Sequence, residues 1–381
     1  MRRKRTRKRV KFIILIVFLV IVGILGIKIW KYLSIGVQVV TNRNIELKQT
    51  TNNRINILLL GVGGGIHDGP DLTDTIIFAS IDPKSKKTLL VSIPRDLWIP
   101  DLNAKINASY VYGEEKKKGG GLLMAKATVA KLLGQDVDYA VKIDFDGFTK
   151  AVDELGGLDI TVDRTFDDYA YPIAGQEDDA CGHTDDEIAS ISAQLASPSA
   201  ELTEFDAFPC RYEHIHFDKG QTHINGTEAL KYVRSRHALG PEGSDFARSR
   251  RQTKIISAIK DKVFSLDLFL NPGKVMSVIN LIEGSIVTDI KEDEYDDFIR
   301  VIQKFRESKI NSAVLDAGDS ETGRPGLLMN PTSTDEYGGA WVLIPETGNG
   351  DYSEIHKYVD CEIKKGNCDT TPTPQSLFEK F

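Results

Sequence analysis

Charged residues stand where apolar segments of this chain begin or end. Arg95 and Asp96 follow the segment Ser92–Pro94, and Lys105 comes shortly after them. Asp74 opens another apolar segment. Ligands bind at the ends of strands in an open α/β sheet. We therefore expect these charged side chains to lie at one edge of a sheet, in a site that combines cations with carboxylates.

A second basic group lies far along the chain. Arg234 and Arg236 occur in one segment, and Arg248 and Gln252 in the next. If a helix starts near Asp245, Arg248 and Gln252 share one face of its first two turns, close to the positive end of the helix dipole. Guanidinium groups beside a helix N-terminus suit a phosphate. The pattern predicts an anion site; arginines on a solvated helix face, paired with local acids, are the alternative.

Other catalytic motifs have little support in the sequence. The segment Gly61–Gly65 follows an apolar run but has neither the Gly-x-x-x-x-Gly-Lys nor the Gly-x-Gly-x-x-Gly spacing of nucleotide-binding loops. It indicates either a backbone that passes close to another group or a tight turn. The chain has no Gly-x-Ser-x-Gly segment and no Ser-His-Asp spacing, so hydrolysis by a serine nucleophile is not indicated.

The charge distribution restricts the kind of partner. The chain has 381 residues and a formal net charge of -7. Residues 1–31 carry ten Lys or Arg and no acid, which leaves 38 bases against 55 acids beyond them. Nucleic-acid binding needs a basic footprint that this acidic body lacks. We therefore expect no nucleic-acid partner, and any anion site must be a local basic pocket.

The N-terminal segment predicts the topology. Residues 12–30 form an apolar run close to the ~20 residues that span a bilayer, and eight basic residues precede it. The positive-inside rule then keeps residues 1–11 in the cytoplasm. We predict an uncleaved transmembrane signal-anchor at 12–30, a polar stalk at 31–53 and an extracytoplasmic body held at the cell membrane by this single pass. A cleaved signal peptide is the alternative, although the residues after the run are bulky for a cleavage site.

Apolar runs and helical patterns alternate through the body. Short runs rich in Ile, Leu and Val predict buried strands, and longer amphipathic patterns predict helices. This alternation predicts an α/β fold, a three-layer α-β-α sandwich around a mixed central sheet. The predicted strands are Ile55–Leu60, Asp74–Ile81, Thr88–Ile93, Tyr139–Ile143, Leu158–Val162, Ser312–Leu315 and Ala340–Ile344, and the predicted helices are Leu122–Leu133, Phe145–Leu155, Asn225–Val233 and Phe246–Phe264.

One long segment breaks the alternation. Residues 163–218 contain acidic clusters, prolines and a cysteine pair. We interpret them as an insertion into a domain of residues 54–345, with a lid over the site as one possible role. Residues 346–381 are expected to form a C-terminal extension with a disulfide loop and a frayed tail.

The four cysteines are expected to form disulfides, because the body is predicted to be exported. Local pairing is the simplest connectivity, with Cys181 bonded to Cys210 and Cys361 bonded to Cys368. A zinc site is the alternative, with histidines near the first pair as further ligands. Those histidines are His183, His214 and His216.

Seven segments follow one another along the body: Asn56–Gly61, Thr73–Thr75, Ser92–Asp96, Lys105–Ala108, Phe148–Gly157, Tyr232–Arg236 and Asp245-x-x-Arg248-x-x-Arg251-Gln252. In their order and spacing they resemble the LytR-CpsA-Psr family, over most of residues 54–264. The resemblance implies an α-β-α sandwich outside the membrane behind one transmembrane helix. It also implies transfer of a polyprenyl-diphosphate-linked glycopolymer onto peptidoglycan or another surface acceptor, beside membrane lipid.

The resemblance further implies roles for single residues. Asp74 would bind Mg²⁺ or Mn²⁺. Family members commonly carry a second metal-binding carboxylate in a Gly-x-Asp where this chain reads Gly61-Val62-Gly63, so Asp68 or Asp71 could replace it. Asp96 would orient a neighbour or act as a base. The catalytic set would be Arg95, Asp96, Arg234, Arg236 and Arg248, and the further diphosphate-binding residues would be Lys105, Gln252 and Arg251.

Three functions stay open on the sequence alone. The first is glycopolymer transfer, the second is hydrolysis of the same diphosphate by water, and the third is a non-catalytic lipid-glycan binding or regulatory protein. Because a polyprenyl tail must leave water, we also expect an apolar cavity beside the arginines. Its walls are expected from the helices at Leu122–Leu133 and Ile255–Val263.

Overall fold

The computed structural model describes residues 47–50, 53–65, 69–195, 202–265, 284–295, 297–298, 300–301, 309–319, 324–366 and 368. The predicted cytoplasmic tail, the predicted membrane span and most of the predicted stalk lie outside these ranges, and so does Asp68. None of the helices within the ranges combines the length and the hydropathy that a membrane crossing needs.

The body contains ten longer strands and eight α-helices with described bounds. The strands are β1 (Ile55–Val62), β2 (Thr73–Asp82), β3 (Lys87–Ile93), β4 (Tyr139–Asp144), β5 (Leu158–Val162), β6 (Phe166–Pro172), β7 (Tyr212–Phe217), β8 (Gly220–Ile224), β9 (Ile286–Thr288) and β10 (Lys309–Val314). The helices are α1 (Ser109–Lys116), α2 (Gly121–Leu133), α3 (Phe145–Glu154), α4 (Asp185–Leu195), α5 (Glu204–Ala207), α6 (Gly226–Arg234), α7 (Asp245–Ser265) and α8 (Ser353–Lys364).

A six-stranded mixed sheet with the order β9-β4-β1-β2-β3-β10 forms the centre of the body. The strands β1, β2 and β3 follow one another and pair antiparallel. The pairs β1–β4 and β3–β10 are parallel, and the chain passes through helices between their strands. The prediction of an α/β fold around a mixed central sheet is confirmed.

Helices cover both faces of this sheet because the side chains of β1 alternate. Leu58 and Leu60 belong to the main core with residues of α2 and α8. Ile57 and Leu59 point to the opposite face, where they pack in a cluster that includes Ile256 of α7. A strand that is apolar on both faces must be covered on both sides, which explains the continuous apolar run at this position.

The strand β5 lies outside the central sheet. It pairs antiparallel with β8, and this ribbon packs with α3, α6 and α7 around a second core that includes Leu158, Tyr232 and Ile255. Helix α6 begins at a reciprocal cap between the side chains of Asn225 and Glu228 and the backbone. The second core therefore holds the end of α6 beside the start of α7.

The predicted insertion is built into this second core. Its strands β6 and β7 pair antiparallel, and Phe166 and Phe217 stack at their base with ring centroids 5.3 Å apart. The Cys181–Cys210 disulfide closes the far part of the insertion. The predicted disulfides, this one and Cys361–Cys368, are confirmed, and a zinc site that uses these cysteines is thereby excluded.

Three boundaries differ from the sequence prediction. The end of the predicted stalk packs on the body, because Leu47 is buried beside Tyr139. The predicted strand Ala340–Ile344 is reduced to Ile344–Pro345. Helix α8 in the predicted C-terminal extension belongs to the main core. Two-residue strands also occur at Trp98–Ile99, Ala104–Lys105, Gly318–Asp319, Arg324–Pro325 and Leu328–Met329.

Candidate active site

A cleft of about 270 Å³ opens where the central sheet, the second core and the insertion meet. Because β2 and β3 are antiparallel, with Ile76 opposite Ile93, the start of β2 adjoins the end of β3. Helix α7 is tied to the same place by a 2.8 Å hydrogen bond from Ser249 Oγ to Ser92 Oγ. The cleft is lined by Asp74, Thr75, Arg95, Ala170, Tyr171, Pro172, Tyr212, Val233, Arg234, Arg236, His237, Arg248 and Gln252.

The structure thus brings four predicted arginines from three separate segments to one cleft. Arg95 comes from the end of β3, Arg234 and Arg236 from the end of α6, and Arg248 from the first turns of α7. Asp74 is the carboxylate among the lining residues. Four guanidinium groups against one carboxylate make a strongly basic pocket on an acidic body, which suits a doubly charged anion.

An ion-pair chain runs along the floor of the cleft. An Nη of Arg95 donates to Asp74, and Arg95 Nε lies 3.5 Å from Asp96 Oδ2. Lys105 Nζ donates to Asp96 Oδ1 at 2.7 Å, and an Nη of Arg236 lies 3.8 Å from Asp96 Oδ2. Asp96 thus contacts Arg95, Lys105 and Arg236.

The carboxylate of Asp96 is surrounded by cations. Burial on its own would raise the pKa of Asp96, but the hydrogen bond from Lys105 and the charges of Arg95, Lys105 and Arg236 outweigh burial and lower it. A carboxylate with a lowered pKa accepts a proton poorly. Of the two roles expected for Asp96, the geometry therefore favours orientation of Arg95 and Arg236. Lys105, predicted to bind the diphosphate, pairs with Asp96 and is not among the residues that line the cleft.

Arg234 is positioned by aromatic rings. Its guanidinium lies over the Phe145 ring, 4.2 Å from the centroid, and donates to Tyr171 Oη at 3.3 Å. Burial raises the pKa of Tyr171, although Arg234 opposes this effect. Tyr171 belongs to β6, so the insertion supplies one wall of the cleft and contacts a predicted site residue directly.

Asp168 is a residue that the sequence analysis missed. It is fully buried, and its Oδ2 accepts from Ser235 Oγ at 2.7 Å and from the backbone N–H groups of Arg236 and His237 at 3.2 and 3.1 Å. These bonds fix the segment that carries Arg236 into the cleft. In the sequence, Asp168 lies in an acidic cluster. The one feature that indicates its burial is that it lies two residues after Phe166, so that both side chains project from the same face of the strand.

The position of Arg251 disagrees with the prediction that it binds the diphosphate. It is 1% exposed and donates to the backbone carbonyls of Tyr232, Ser235 and Glu242 and to the Glu242 carboxylate. These bonds tie α7 to the loop after α6, and they leave the guanidinium outside the cleft. Gln252, by contrast, lines the cleft as predicted, and its Nε2 lies 3.4 Å from Thr75 Oγ1.

The carboxylates near the cleft are the candidate ligands for a divalent cation. Asp71, expected as an alternative second ligand, pairs with Lys142 at 2.8 Å and is not among the residues that line the cleft. Within the described ranges, no group of three His, Cys, Asp or Glu side chains converges at the cleft. Mg²⁺ is commonly held by one or two carboxylates together with substrate phosphates, and Asp74 is placed for that arrangement.

The glycine-rich segment has a structural role. Gly64 has a φ of +69°, and a Cβ there would lie 2.8 Å from the Cβ of Asp144. Asp144 caps α3, accepting from the N–H of Gly147 at 2.7 Å. Of the two sequence expectations, the close approach of the backbone to another group is confirmed.

The apolar surface of the cleft comes from other segments than the two helices predicted from the sequence. Leu122, Leu132 and Leu133 of α2 are packed in the main core, so that helix does not line the cleft. Apolar surface comes instead from the insertion and the end of α6, through Ala170, Tyr171, Pro172, Tyr212 and Val233.

Comparison with known proteins supports the family resemblance. The family model described as the LytR_cpsA_psr family matches residues 33–332. The polyisoprenyl-teichoic acid–peptidoglycan teichoic acid transferase TagV of Bacillus subtilis is 25% identical over 346 residues, which cover 87% of this chain and 74% of TagV. The transferase TagU of Bacillus licheniformis is 30% identical over 243 residues, which cover 62% of this chain and 60% of TagU.

A solved structure has a similar fold. The Lin1025 protein from Listeria innocua superposes with a TM-score of 0.52 at 23% identity, covering 83% of this chain and 99% of that protein. The family match spans the central sheet, the insertion and every residue that lines the cleft. The chain belongs to the LytR_cpsA_psr family.

Proposed function

We propose that this protein is a transferase that moves a glycopolymer from a polyprenyl-diphosphate carrier onto peptidoglycan or another acceptor at the cell surface. The observation that carries the proposal is the convergence of four arginines on one cleft. Membership in the family supports the same reaction class. TagV and TagU, which are named as teichoic acid transferases, also support it.

The reaction is a phosphotransfer. A hydroxyl oxygen of the acceptor attacks the sugar-side phosphorus and forms a phosphodiester, the phosphoanhydride bond breaks, polyprenyl phosphate leaves with the electron pair of that bond, and the proton of the hydroxyl passes to solvent water. Negative charge grows on the departing lipid phosphate. Guanidinium groups that strengthen their hold on that charge in the transition state lower the barrier, and no ATP is required because the anhydride is already activated.

The residues divide this work by position. Arg95 and Arg236, both oriented by Asp96, face the anion from the floor of the cleft. Arg234 stands on the Phe145 ring beside the insertion, and Arg248 sits near the N-terminus of α7. A Mg²⁺ or Mn²⁺ ion, held by Asp74 and donor phosphate oxygens, would neutralise further charge.

The proposed location is the outer side of a membrane. A single anchor at residues 12–30 would keep the cleft close to the lipid-linked donor. The aromatic and apolar side chains of the insertion wall, such as Tyr171 and Tyr212, are suited to the first part of a polyprenyl chain or to a sugar ring.

The test is a transfer assay with the full-length protein, a defined polyprenyl-diphosphate glycan and peptidoglycan. We expect glycan joined to the wall and polyprenyl phosphate released. Arg236→Ala should lower the rate ~10²–10³-fold, and Arg236→Lys should restore little because the fork geometry is lost. Arg164→Ala, an exposed arginine outside the cleft, is the matched control and should retain the wild-type rate.

The products decide between the functions. Free glycan in place of wall-linked glycan would identify a hydrolase. Tight donor binding without any product would identify a binding protein. Either result, with the acceptor present, would contradict the proposed transferase activity.

A further inference from the structure

Two histidines and an aspartate meet on the outer face of the β6–β7 ribbon. His214 and His216 are two residues apart on β7, so their side chains project from the same face. Asp167 lies directly opposite His216 in the antiparallel register of β6. Asp167 and His216 are in regular register, and the bulge in β6 between Asp168 and Tyr171 lies opposite His214, so the two strands bring all three side chains together.

Their ligand atoms converge on one point. His214 Nε2 and His216 Nδ1 each lie 2.8 Å from the same atom, Asp167 Oδ1. In a tetrahedral zinc site with Zn–N distances of about 2.0 Å, neighbouring ligand atoms are about 3.3 Å apart. A small opening of the two rings would therefore give the spacing that a bound ion requires.

Both rings are oriented by neighbours that do not belong to the ligand set. Tyr169 stacks flat on His214, with centroids 4.1 Å apart and planes 6° apart. The second ring nitrogen of His216, Nε2, lies 3.3 Å from Asp218 Oδ1. Metal-binding histidines usually have their other nitrogen held by a carboxylate in this way.

We propose that Asp167, His214 and His216 bind a zinc ion that clips β6 to β7. Two imidazoles and one carboxylate favour Zn²⁺ over Mg²⁺ and Ca²⁺, which prefer oxygen ligands. The side chains are 30–45% exposed, so an ion has access and a water can complete its coordination. The site is separate from the cleft, where Asp74 lines an arginine-rich surface.

The clip would stabilise a wall of the cleft from behind. Asp167 is followed by Asp168, which holds the segment carrying Arg236, and the Asp167 carbonyl accepts from the N–H of Leu239 at 2.9 Å. Tyr171 and Tyr212, on the same two strands, line the cleft. A metal that joins the strands would therefore reduce the motion of this wall.

The test is metal binding by the full-length, chelator-stripped protein in detergent, with Zn²⁺ followed by calorimetry and Co²⁺ by its visible absorption. The test variants are His214→Gln and His216→Gln. The matched control is His223→Gln, because His223 forms a single exposed His–Asp pair with Asp159 at 2.7 Å on the neighbouring ribbon.

We expect one Zn²⁺ per wild-type and His223→Gln chain, and at least a tenfold weaker affinity in both test variants. Zn²⁺ should also raise the Tm of the wild type and of the control but not of the test variants. Equal Tm values without metal would show that all the chains fold. An absence of stoichiometric binding to the wild type, or equal affinities in all four proteins, would overturn the proposal without touching the transferase proposal.

Discussion

At the scale of single residues, the acids around the cleft control where the arginines point. Asp96 holds Arg95 and Arg236, and buried Asp168 holds the backbone of Arg236. Sequence spacing predicted the arginines because guanidinium groups at strand and helix ends are recognisable. It did not predict that Asp168 is buried and bonded to the backbone, because the sequence of an acidic segment does not show which of its acids are buried.

Asp168→Ala should damage both stability and activity. It leaves the Ser235 hydroxyl and the N–H groups of Arg236 and His237 without their acceptor, and each unsatisfied buried group costs about 1–3 kcal/mol. We expect the variant to unfold at a lower urea concentration than the wild type. At a temperature where the variant is folded, we expect its transfer rate to be at least tenfold lower. Asp178→Asn, an exposed acid of the same insertion, should change neither. A wild-type rate in folded Asp168→Ala would contradict the positioning role.

The lowered pKa of Asp96 predicts a pH dependence of stability. The cations around Asp96 favour its charged form, so its stabilising effect is present above the unfolded-state pKa of about 3.9 and is lost as pH falls through the lower folded-state value. The free energy of unfolding of the wild type should exceed that of Asp96→Asn near neutral pH, and this gap should close below about pH 4.

Asp101→Asn is the control for that measurement. Asp101 pairs with Lys131 on the surface, where both side chains are about 60% exposed, so its effect should be small at every pH. A gap between wild type and Asp96→Asn that stays constant down to pH 3 would show that the charge of Asp96 is not the cause.

At the scale of elements, the long apolar runs were predictable and the short pairings were not. β1, β2 and β3 contain runs of apolar residues that pack on both faces of the sheet. The strand β5 alternates buried Leu158, Ile160 and Val162 with exposed Asp159 and Thr161, and this pattern did not predict that it pairs with β8 in another core. The insertion looked accessory because most of its residues are polar, yet Phe166, Phe217 and Tyr171 place its ribbon in the core and at the cleft.

Removal of each disulfide should lower the free energy of unfolding, and by different amounts, because the two disulfides close loops of different length. Cys181–Cys210 spans 29 residues and Cys361–Cys368 spans 7. Loop entropy predicts a loss of about 3–4 kcal/mol for the double variant Cys181→Ser/Cys210→Ser and about 2 kcal/mol for Cys361→Ser/Cys368→Ser. Denaturant unfolding measures both, and a larger effect from the shorter loop would refute the entropic ranking.

At the scale of the whole molecule, the basic N-terminus and the acidic body predict opposite sides of a membrane. Protease added to intact cells or spheroplasts should degrade the body and spare residues 1–11. Antibody detection of tags at the two ends gives the readout, and lysed cells provide the control in which both ends are digested. Protection of the body in intact cells would refute this topology.

The edge pairing of β3 with β10 also determines when the body can finish folding. Lys87 lies opposite Lys309, so the sheet gains this edge strand only after most of the chain has been synthesised. Contacts so distant in sequence form slowly, because the intervening chain must first be ordered. Until then β3 exposes an unpaired backbone edge that other strands can join. A nascent or truncated chain that ends before residue 309 is therefore expected to be the aggregation-prone form of this protein.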